Sequence, residues 1–353
     1  MKTVIYNSPY LGAPGAIRWI VASWAEGFRL RGYDFYACDT QDQLIDRCKK
    51  NPPSILYCDI VSTPIEDIRF REWLFSLRQH GTKVCMNLYW PMNDQPLERV
   101  NALKNFDIAD VYCGERESDS MRTFELDTGK TYITMPQSAN PRFHYPVASD
   151  QKFAYDIVFV GAKLPNKRWF NEKILGELRK RYRVGLFGPG WTHQDNILRA
   201  ISKGSRLVGA NYMARLSDRF RFSVSEEDEP KLYASSKISL NFHERESDNT
   251  QPHHIVNQRT FKIAASGGFQ IVDPVIALPK YFSSEEIVTA NFDEFDWLDK
   301  VDYYIAHESE RKAIQERATA RAQSEHMAHH RVAMLEGLLA KTANLQSYLL
   351  KSP

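Results

Sequence analysis

Arg259 and Lys262, three residues apart, have the chemistry of an anion-binding site. Residues three apart on a helix share a face, and a guanidinium can hold a phosphate through two parallel hydrogen bonds. Gly267-Gly268 ends this helix, because glycine adopts backbone conformations that other residues avoid. An apolar strand then runs to Asp273. The stretch 257–273 therefore predicts a diphosphate site, with a basic surface helix as the alternative.

A second basic turn lies in 159–168, where a strand runs into Gly161 and then into Lys163, Lys167 and Arg168. The start of a helix offers unpaired N–H groups and the positive end of the helix dipole, so an anion is stabilised there. This pattern predicts further phosphate contacts. A solvated basic turn is the alternative.

The elements around these turns alternate between strand and helix. Apolar runs predict strands at 4–7, 33–38, 54–61, 83–89, 110–114, 156–161, 183–188, 238–242, 268–272 and 286–289. Apolar residues at helical spacing predict helices at 17–28, 65–79, 97–105 and 170–182, and two or three more beyond Asp299. Such alternation is typical of a parallel, doubly wound α/β sheet.

A chain of 353 residues exceeds what one hydrophobic core usually serves. The rhythm breaks in a polar segment that contains Pro136, Pro141 and Pro146. We therefore predict two Rossmann-like domains of similar size that face each other across a cleft. The predicted ranges are 1–140 for the first domain, 141–152 for the linker, 153–325 for the second domain and 326–353 for a C-terminal helix.

The composition is that of an ordinary globular protein, with 43% hydrophobic residues and a net charge of +2. This balance gives no global reason to expect a nucleic-acid or acidic membrane partner. The five cysteines match neither a zinc site nor a compact disulfide framework. Three of them, Cys58, Cys85 and Cys113, lie in or beside predicted strands, so we expect these to be buried small apolar residues and the compartment to be reducing. Without a leader pattern or a long apolar run, we expect a cytoplasmic protein.

Five pieces of the second half carry a family resemblance: YDIVFVG at 155–161, VGLFGPGW at 184–191, KLYASSKISLNFH at 231–243, RTFK at 259–262 and YYIAHESER at 303–311. In this order they resemble the donor-binding domain of GT-B fold glycosyltransferases, specifically the group 1 families that include spore-maturation-type sugar transferases. The resemblance covers residue 155 to the end. The first domain resembles these proteins only in architecture.

The resemblance implies the GT-B fold and transfer of a sugar from a nucleotide diphosphate sugar to a hydroxyl of a glycan, lipid-linked glycan or protein. It makes the first domain the acceptor domain and the second the donor domain. It assigns the diphosphate to Arg259 and places the remaining donor contacts at Gly161, Lys163, Arg168, Phe187, Gly188 and Gly268. It implies no cofactor beyond the donor and no essential metal, because protein cations and helix ends offset the charge of the leaving diphosphate.

Lys262 departs from the family pattern, which has a glutamate here that accepts hydrogen bonds from both ribose hydroxyls of the donor. A lysine has three donors and no acceptor. Three explanations remain open: Glu244 or Glu246 supplies the carboxylate, the donor carries a further anionic group that Lys262 binds, or the site has lost catalysis and only binds nucleotide sugars.

The acceptor side has fewer signals. By the resemblance, the glycine loop with Gly12 and Gly15 faces the cleft, and Arg18 opens the next helix. An inverting transfer needs a general base, since the acceptor hydroxyl loses its proton as it attacks. Asp94 is the first candidate, followed by Asp59 and Glu115, and structural roles are the alternative for all three. A retaining transfer needs no such base.

A basic patch follows the second half's second strand; its cations are Arg199, Lys203, Arg206, Arg215, Arg219 and Arg221. The patch is a solvated insertion, or it meets a polyanionic acceptor, the inner face of a membrane, or duplex DNA. The DNA interpretation rests on a more distant resemblance to phage DNA β-glucosyltransferase, a GT-B protein with a similar glycine turn and arginine-x-aromatic piece. It implies a second candidate function, sugar transfer to hydroxymethylated DNA bases.

Overall fold

The computed structural model describes residues 2–9, 11, 17–88, 95–220, 224–243 and 254–349. The chain forms two compact units: Met1–Ser138 with Ala328–Pro353, and Ala139–Met327. The segment 141–152, predicted as a linker, belongs to the second unit. The last helix returns to the first unit.

The first unit is built on a six-stranded parallel sheet with strand order β2-β1-β3-β4-β5-β6. Its strands are β1 Lys2–Asn7, β2 Tyr33–Cys38, β3 Ile55–Asp59, β4 Lys83–Asn87, β5 Val111–Gly114 and β6 Tyr132–Thr134. All residues of β3 are buried, as expected for a strand with both sheet faces covered by helices. The prediction of a parallel sheet is confirmed, whereas β6 was not among the predicted strands.

The helices of the first unit are α1 Ile17–Leu30, α2 Gln41–Lys50, α3 Ile68–Gln79, α4 Leu97–Asn105, α5 Arg122–Thr128 and α13 Ala328–Leu349. The returning helix α13 packs on α1, where Gly27 leaves room for Ala328: a Cβ at Gly27 would lie 2.8 Å from the Ala328 carbonyl. Glu336 of α13 also accepts hydrogen bonds from Arg31 at 2.7 Å and Tyr33 at 3.0 Å. These contacts anchor the end of the chain to the first sheet.

The second unit contains a five-stranded parallel sheet with strand order β11-β10-β9-β7-β8. Its strands are β7 Ile157–Val160, β8 Val184–Phe187, β9 Ile238–Asn241, β10 Gln270–Val272 and β11 Val288–Thr289. Its helices are α6 Gly176–Arg181, preceded by a π-helical segment Phe170–Leu175, then α7 His193–Leu207, α8 Asn211–Phe220, α9 Glu229–Ser235, α10 Gln258–Ala265, α11 Glu294–Ala306 and α12 Glu308–Glu325.

In both sheets the strand order reverses at the same place, next to the first strand. In each, the second strand lies on one side of the first strand and the third strand lies on the other, between β1 and β3 and again between β7 and β9. Open α/β sheets bind ligands outside the carboxyl ends of the strands at such a switch point. The residues that follow β7 and β9 are therefore the first place to look for a site.

All five cysteines are buried free thiols in the first unit, which confirms the burial predicted for Cys58, Cys85 and Cys113. Across the described part of the chain, no helix is both long enough and apolar enough to span a bilayer.

Candidate donor site in the second unit

The turns after β7 and β8 are tied together by glycines. The Gly161 amide donates to the Phe187 carbonyl at 2.7 Å, and the Trp191 indole donates to the Gly161 carbonyl at 2.6 Å. Gly188 has φ of +119°, and a Cβ there would lie 2.7 Å from the Gly161 carbonyl oxygen. Only glycine fits at Gly188, because both the backbone conformation and the close approach exclude a side chain.

Arg259 lies directly over this pair of turns. A Cβ added to Gly161 would lie 2.7 Å from Arg259 Nη2, so the missing side chain at Gly161 makes room for the guanidinium. The guanidinium carbon stands 5.0 Å from the Phe159 ring centroid, a cation–π distance. The structure thus brings Gly161 and Arg259 together at the carboxyl end of β7.

A network of amides positions Arg259. Asn257 begins α10, and its Oδ1 accepts from the Thr260 amide at 3.0 Å. Asn241, the last residue of β9, accepts from Asn257 at 2.9 Å and from Arg259 Nη1 at 3.1 Å. Asn241 also donates to Thr260 Oγ1 at 2.8 Å. The start of α10 is therefore fixed to the end of β9, and the guanidinium is held in place before any ligand binds.

A histidine–aspartate pair lies beside this network. The Asp273 carboxylate is 2.5 Å from His243 Nδ1 and also accepts from the His243 amide. Both residues are buried, and His243 Nε2 has no hydrogen-bond partner in the described part of the structure. An aspartate on Nδ1 fixes the ring orientation and leaves Nε2 for another group. The sequence analysis did not name this pair as a site. The signal that could have found it is that His243 and Asp273 each directly follow a predicted apolar strand.

Lys262 takes part in a different network, one turn further along α10. Its ammonium lies 3.1 Å from Glu229 Oε2, and both residues are buried. Tyr233 donates to Glu229 Oε1 at 2.8 Å. His144 Nδ1 accepts from the Asn140 amide at 3.1 Å, so a neutral ring carries its proton on Nε2, which lies 3.4 Å from Glu229 Oε2. Lys262, Tyr233 and His144 therefore all face one carboxylate.

The charges in this network are matched. Burial would raise the pKa of Glu229, but the charge of Lys262 and the His144 hydrogen bond outweigh it and hold that pKa well below its ordinary value. Burial lowers the pKa of His144, which keeps its ring neutral. Glu229 was not predicted as a partner of Lys262, because 33 residues separate them in sequence.

The basic turn after β7 is divided between surface and interior. The Arg168 side chain is 78% exposed and pairs with Glu172 at 2.8 Å along its helix. The Lys163 ammonium lies 5.7 Å from the Trp191 ring centroid, and its backbone amide donates to the Pro189 carbonyl at 2.8 Å. Lys167 is the buried cation of this turn, at 3% exposure.

Two other predicted donor contacts lie in packed surroundings. Phe187 packs edge-on against Tyr155, with centroids 5.7 Å apart, and lines a hollow of about 340 Å³ together with Phe153, Val224 and Asp228. A Cβ at Gly268 would lie 2.8 Å from Ile263, so this glycine permits close packing between α10 and β10. Gly267, with φ of +77°, makes the predicted sharp turn between them.

Five predicted site residues, Gly12, Gly15, Asp94, Glu244 and Glu246, lie outside the described residues, as does Arg221 of the basic patch. Arg18 is the second residue of α1, and its guanidinium carbon lies 4.2 Å from the Trp19 ring centroid. The predicted donor and acceptor roles of all these residues stay predictions.

The carboxyl edge of the first sheet carries the two remaining base candidates. Asp59, fully buried at the end of β3, accepts from Asn87 Nδ2 at 2.8 Å. Glu115, directly after β5, accepts from Gln137 at 2.6 Å. Burial raises the pKa of Glu115 to about 7, with the Gln137 hydrogen bond opposing the rise and the charge of Asp59 adding to it. A carboxyl with this pKa can take up a proton near neutral pH.

The arrangement in the second unit can bind a dianionic group. A fixed guanidinium, glycine turns that let a ligand approach the backbone, and a helix N-terminus meet at the switch point of the sheet. No group of three or more metal-ligating side chains occurs among the described residues.

Residues 167–337 match the family model described as glycosyl transferase-like. No curated protein sequence matches the chain.

Solved structures match over nearly the whole chain at low identity. A sucrose-phosphate synthase from Thermosynechococcus elongatus aligns with TM-score 0.61 and 11% identity, over 99% of each chain. A glycosyltransferase from Rickettsia africae gives TM-score 0.62 and 11% identity, over 100% of this chain and 99% of that one. Anabaena HepE in complex with UDP gives 0.60 and 11%, over 97% and 100%.

These likenesses confirm the predicted fold: two parallel-sheet, Rossmann-like units with C-terminal helices. The chain has the GT-B fold.

Proposed function

We propose that this protein is a glycosyltransferase that moves a sugar from a nucleotide diphosphate donor to a hydroxyl group of a glycan, lipid-linked glycan or protein. One observation carries the proposal. Arg259 is held by Asn241 at 3.1 Å against Gly161, at the switch point of the second sheet. A preorganised cation at this point stabilises the charge that develops on a leaving diphosphate.

The same cation supports transfer without an essential metal. A diphosphate that leaves the sugar carries its new charge on phosphate oxygens, and Arg259 with the start of α10 offers positive charge and N–H donors there. Chelation with EDTA should therefore leave turnover unchanged. A loss of turnover that Mg²⁺ restores would overturn this part of the proposal.

The buried pair of Lys262 and Glu229 bears on ribose recognition. Because the ammonium already faces a carboxylate at 3.1 Å, its charge is compensated. This weighs against the explanation in which Lys262 binds an additional anionic group of the donor. The explanation in which Glu244 or Glu246 supplies the ribose-binding carboxylate, and the one in which the site has lost catalysis, stay open.

Donor cleavage is the direct test. HepE has been crystallised with UDP and with UDP-glucose, so UDP-glucose is the first donor to try, within a panel of nucleotide sugars screened by thermal shift. We expect Arg259→Ala to lower the release of nucleotide diphosphate about 30- to 1000-fold, equivalent to about 2 to 4 kcal/mol.

The matched control is Arg179→Ala, which removes an exposed arginine from α6 of the same unit. Unchanged turnover in Arg259→Ala would exclude the assigned role. Tight nucleotide-sugar binding without any donor cleavage would support a binding protein that has lost catalysis, the alternative that Lys262 suggested.

A further inference from the structure

The basic patch is part of a helical hairpin that the proposed transfer reaction does not use. Helices α7 and α8 follow one another between β8 and α9 and pack mainly against each other. The turn between them is well defined: Gly209 has φ of +74°, and the Ala210 amide donates to the Ser205 carbonyl at 2.8 Å. We refer to residues 193–220 as the α7–α8 hairpin.

The tip of the hairpin exposes large apolar side chains to solvent. Leu207 is 88% exposed, Val208 79% and Tyr212 77%. Ile197 and Ile201, four residues apart on α7, are about half exposed, as is Met213 on α8. Single exposed apolar residues are ordinary, but six within one hairpin are a local concentration of the kind found at interaction sites.

The exposed charges of α7 are all positive. Arg199, Lys203 and Arg206 are exposed, whereas the one acid of the helix, Asp195, is buried and accepts from the Gly190 amide at 2.5 Å. The sequence places two more arginines, Arg215 and Arg219, on α8. The hairpin therefore combines an apolar tip with cations one to two turns behind it.

We propose that the α7–α8 hairpin docks on an anionic membrane surface. Apolar residues that enter the headgroup region and cations that meet anionic lipids are the two components of interfacial binding. Duplex DNA would use the cations but gives no reason for exposed Leu207 and Val208. A protein partner would use the apolar tip but gives no reason for the exposed charges of α7 to be all positive.

Co-sedimentation with lipid vesicles tests the proposal without donor or acceptor, so its outcome is independent of the proposed transfer reaction. The full chain should bind phosphatidylcholine vesicles that contain phosphatidylglycerol and should bind pure phosphatidylcholine vesicles much more weakly. Added salt should reduce binding to the anionic vesicles, because it screens exposed charges.

Two pairs of variants separate the components. Leu207→Ser with Val208→Ser should reduce binding to anionic vesicles about tenfold or more, while Leu126→Ser, which removes a 74% exposed leucine of the first unit, should not. Arg199→Gln with Lys203→Gln should weaken binding about tenfold, while Lys173→Gln with Arg179→Gln, also exposed, should not.

These substitutions lie at exposed positions, and circular dichroism will verify that each variant is folded. Absence of vesicle binding would overturn the proposal. An equal reduction of vesicle binding in the hairpin variants and in the control variants would also overturn it. A third outcome is salt-sensitive binding to duplex DNA without vesicle binding. If Leu207→Ser with Val208→Ser left this DNA binding intact, the partner of the hairpin would be nucleic acid and not a membrane. Concentration-dependent dimers that the same variant disrupts, again without vesicle binding, would assign the tip to a second copy of this chain.

Discussion

The carboxyl edges of the two sheets follow the same strand order but carry different sets of side chains. In the first unit the strand ends carry amides and carboxylates, Asp59 with Asn87 and then Glu115 with Gln137. In the second unit, Asn241 and Asp273 are accompanied by a glycine turn with a fixed guanidinium, Gly161 with Arg259. The fold therefore provides two equivalent places for a ligand, and the side chains at the strand ends decide which ligand each can hold.

The two units also differ in the surroundings of one carboxylate each. In the second unit Glu229 is surrounded by Lys262, His144 and Tyr233, and its pKa is held low. In the first unit Glu115 has an amide as its hydrogen-bond partner, and its pKa is raised to about 7. Glu229 is therefore a stable anion, whereas Glu115 is able to exchange a proton near neutral pH.

Breaking the buried ion pair should have the largest effect. Lys262→Met leaves Glu229 buried without its cation, and we expect the free energy of unfolding to fall by about 3 to 5 kcal/mol in urea titrations. Glu229→Gln combined with Lys262→Met should cost less than the sum of the two single changes, because neither charge is then left alone. Additive losses would show that the pair does not interact in solution.

The pH dependence of the same pair has a definite sign. Folding lowers the pKa of Glu229, so its contribution to stability is present above the pKa of the unfolded carboxyl and is lost as the pH falls. Lys262→Met should therefore reduce the stability difference between neutral and acidic pH. An unchanged difference would mean that another carboxylate governs acid unfolding.

The sequence predicted the architecture well because apolar runs and helical periodicity are local signals. The parallel strands and the turn at Gly267 were all visible in this way. The proximity of Lys262 and Glu229 could not be predicted, since no local pattern indicates which distant side chain will face a buried lysine. The sequence also could not predict that Lys167 is buried and Arg168 exposed, because the two are neighbours in the same basic run.

Glu115→Gln should have the next largest effect, and it tests the raised pKa of the first unit's carboxyl against the lowered pKa of Glu229. Folding raises the pKa of Glu115 from 4.5 to about 7, so its stabilising contribution is complete below the unfolded pKa and is lost as the pH rises to about 7. The variant should therefore gain about 2 to 3 kcal/mol relative to the parent between pH 5 and pH 8, measured as the free energy of unfolding. The exposed Glu72→Gln is the control, and parallel pH profiles for parent and Glu115→Gln would contradict the raised pKa.

Arg168→Ala should have the smallest effect and shows how far the basic edge of the second unit extends. Its ion pair with Glu172 joins two exposed side chains, so the loss should change the free energy of unfolding by less than about 0.5 kcal/mol. If the side chain contacts donor phosphate as the family resemblance implies, it does so through solvent-screened charge, and the donor KM should rise about two- to fivefold at low salt and hardly at high salt. Arg259→Ala, whose guanidinium is held against Gly161, should lose turnover at both salt concentrations. Equal, salt-independent losses of turnover in the two variants would mean that Arg168 moves into the site when the donor binds, and that the fixed part of the basic edge is larger than Arg259 alone.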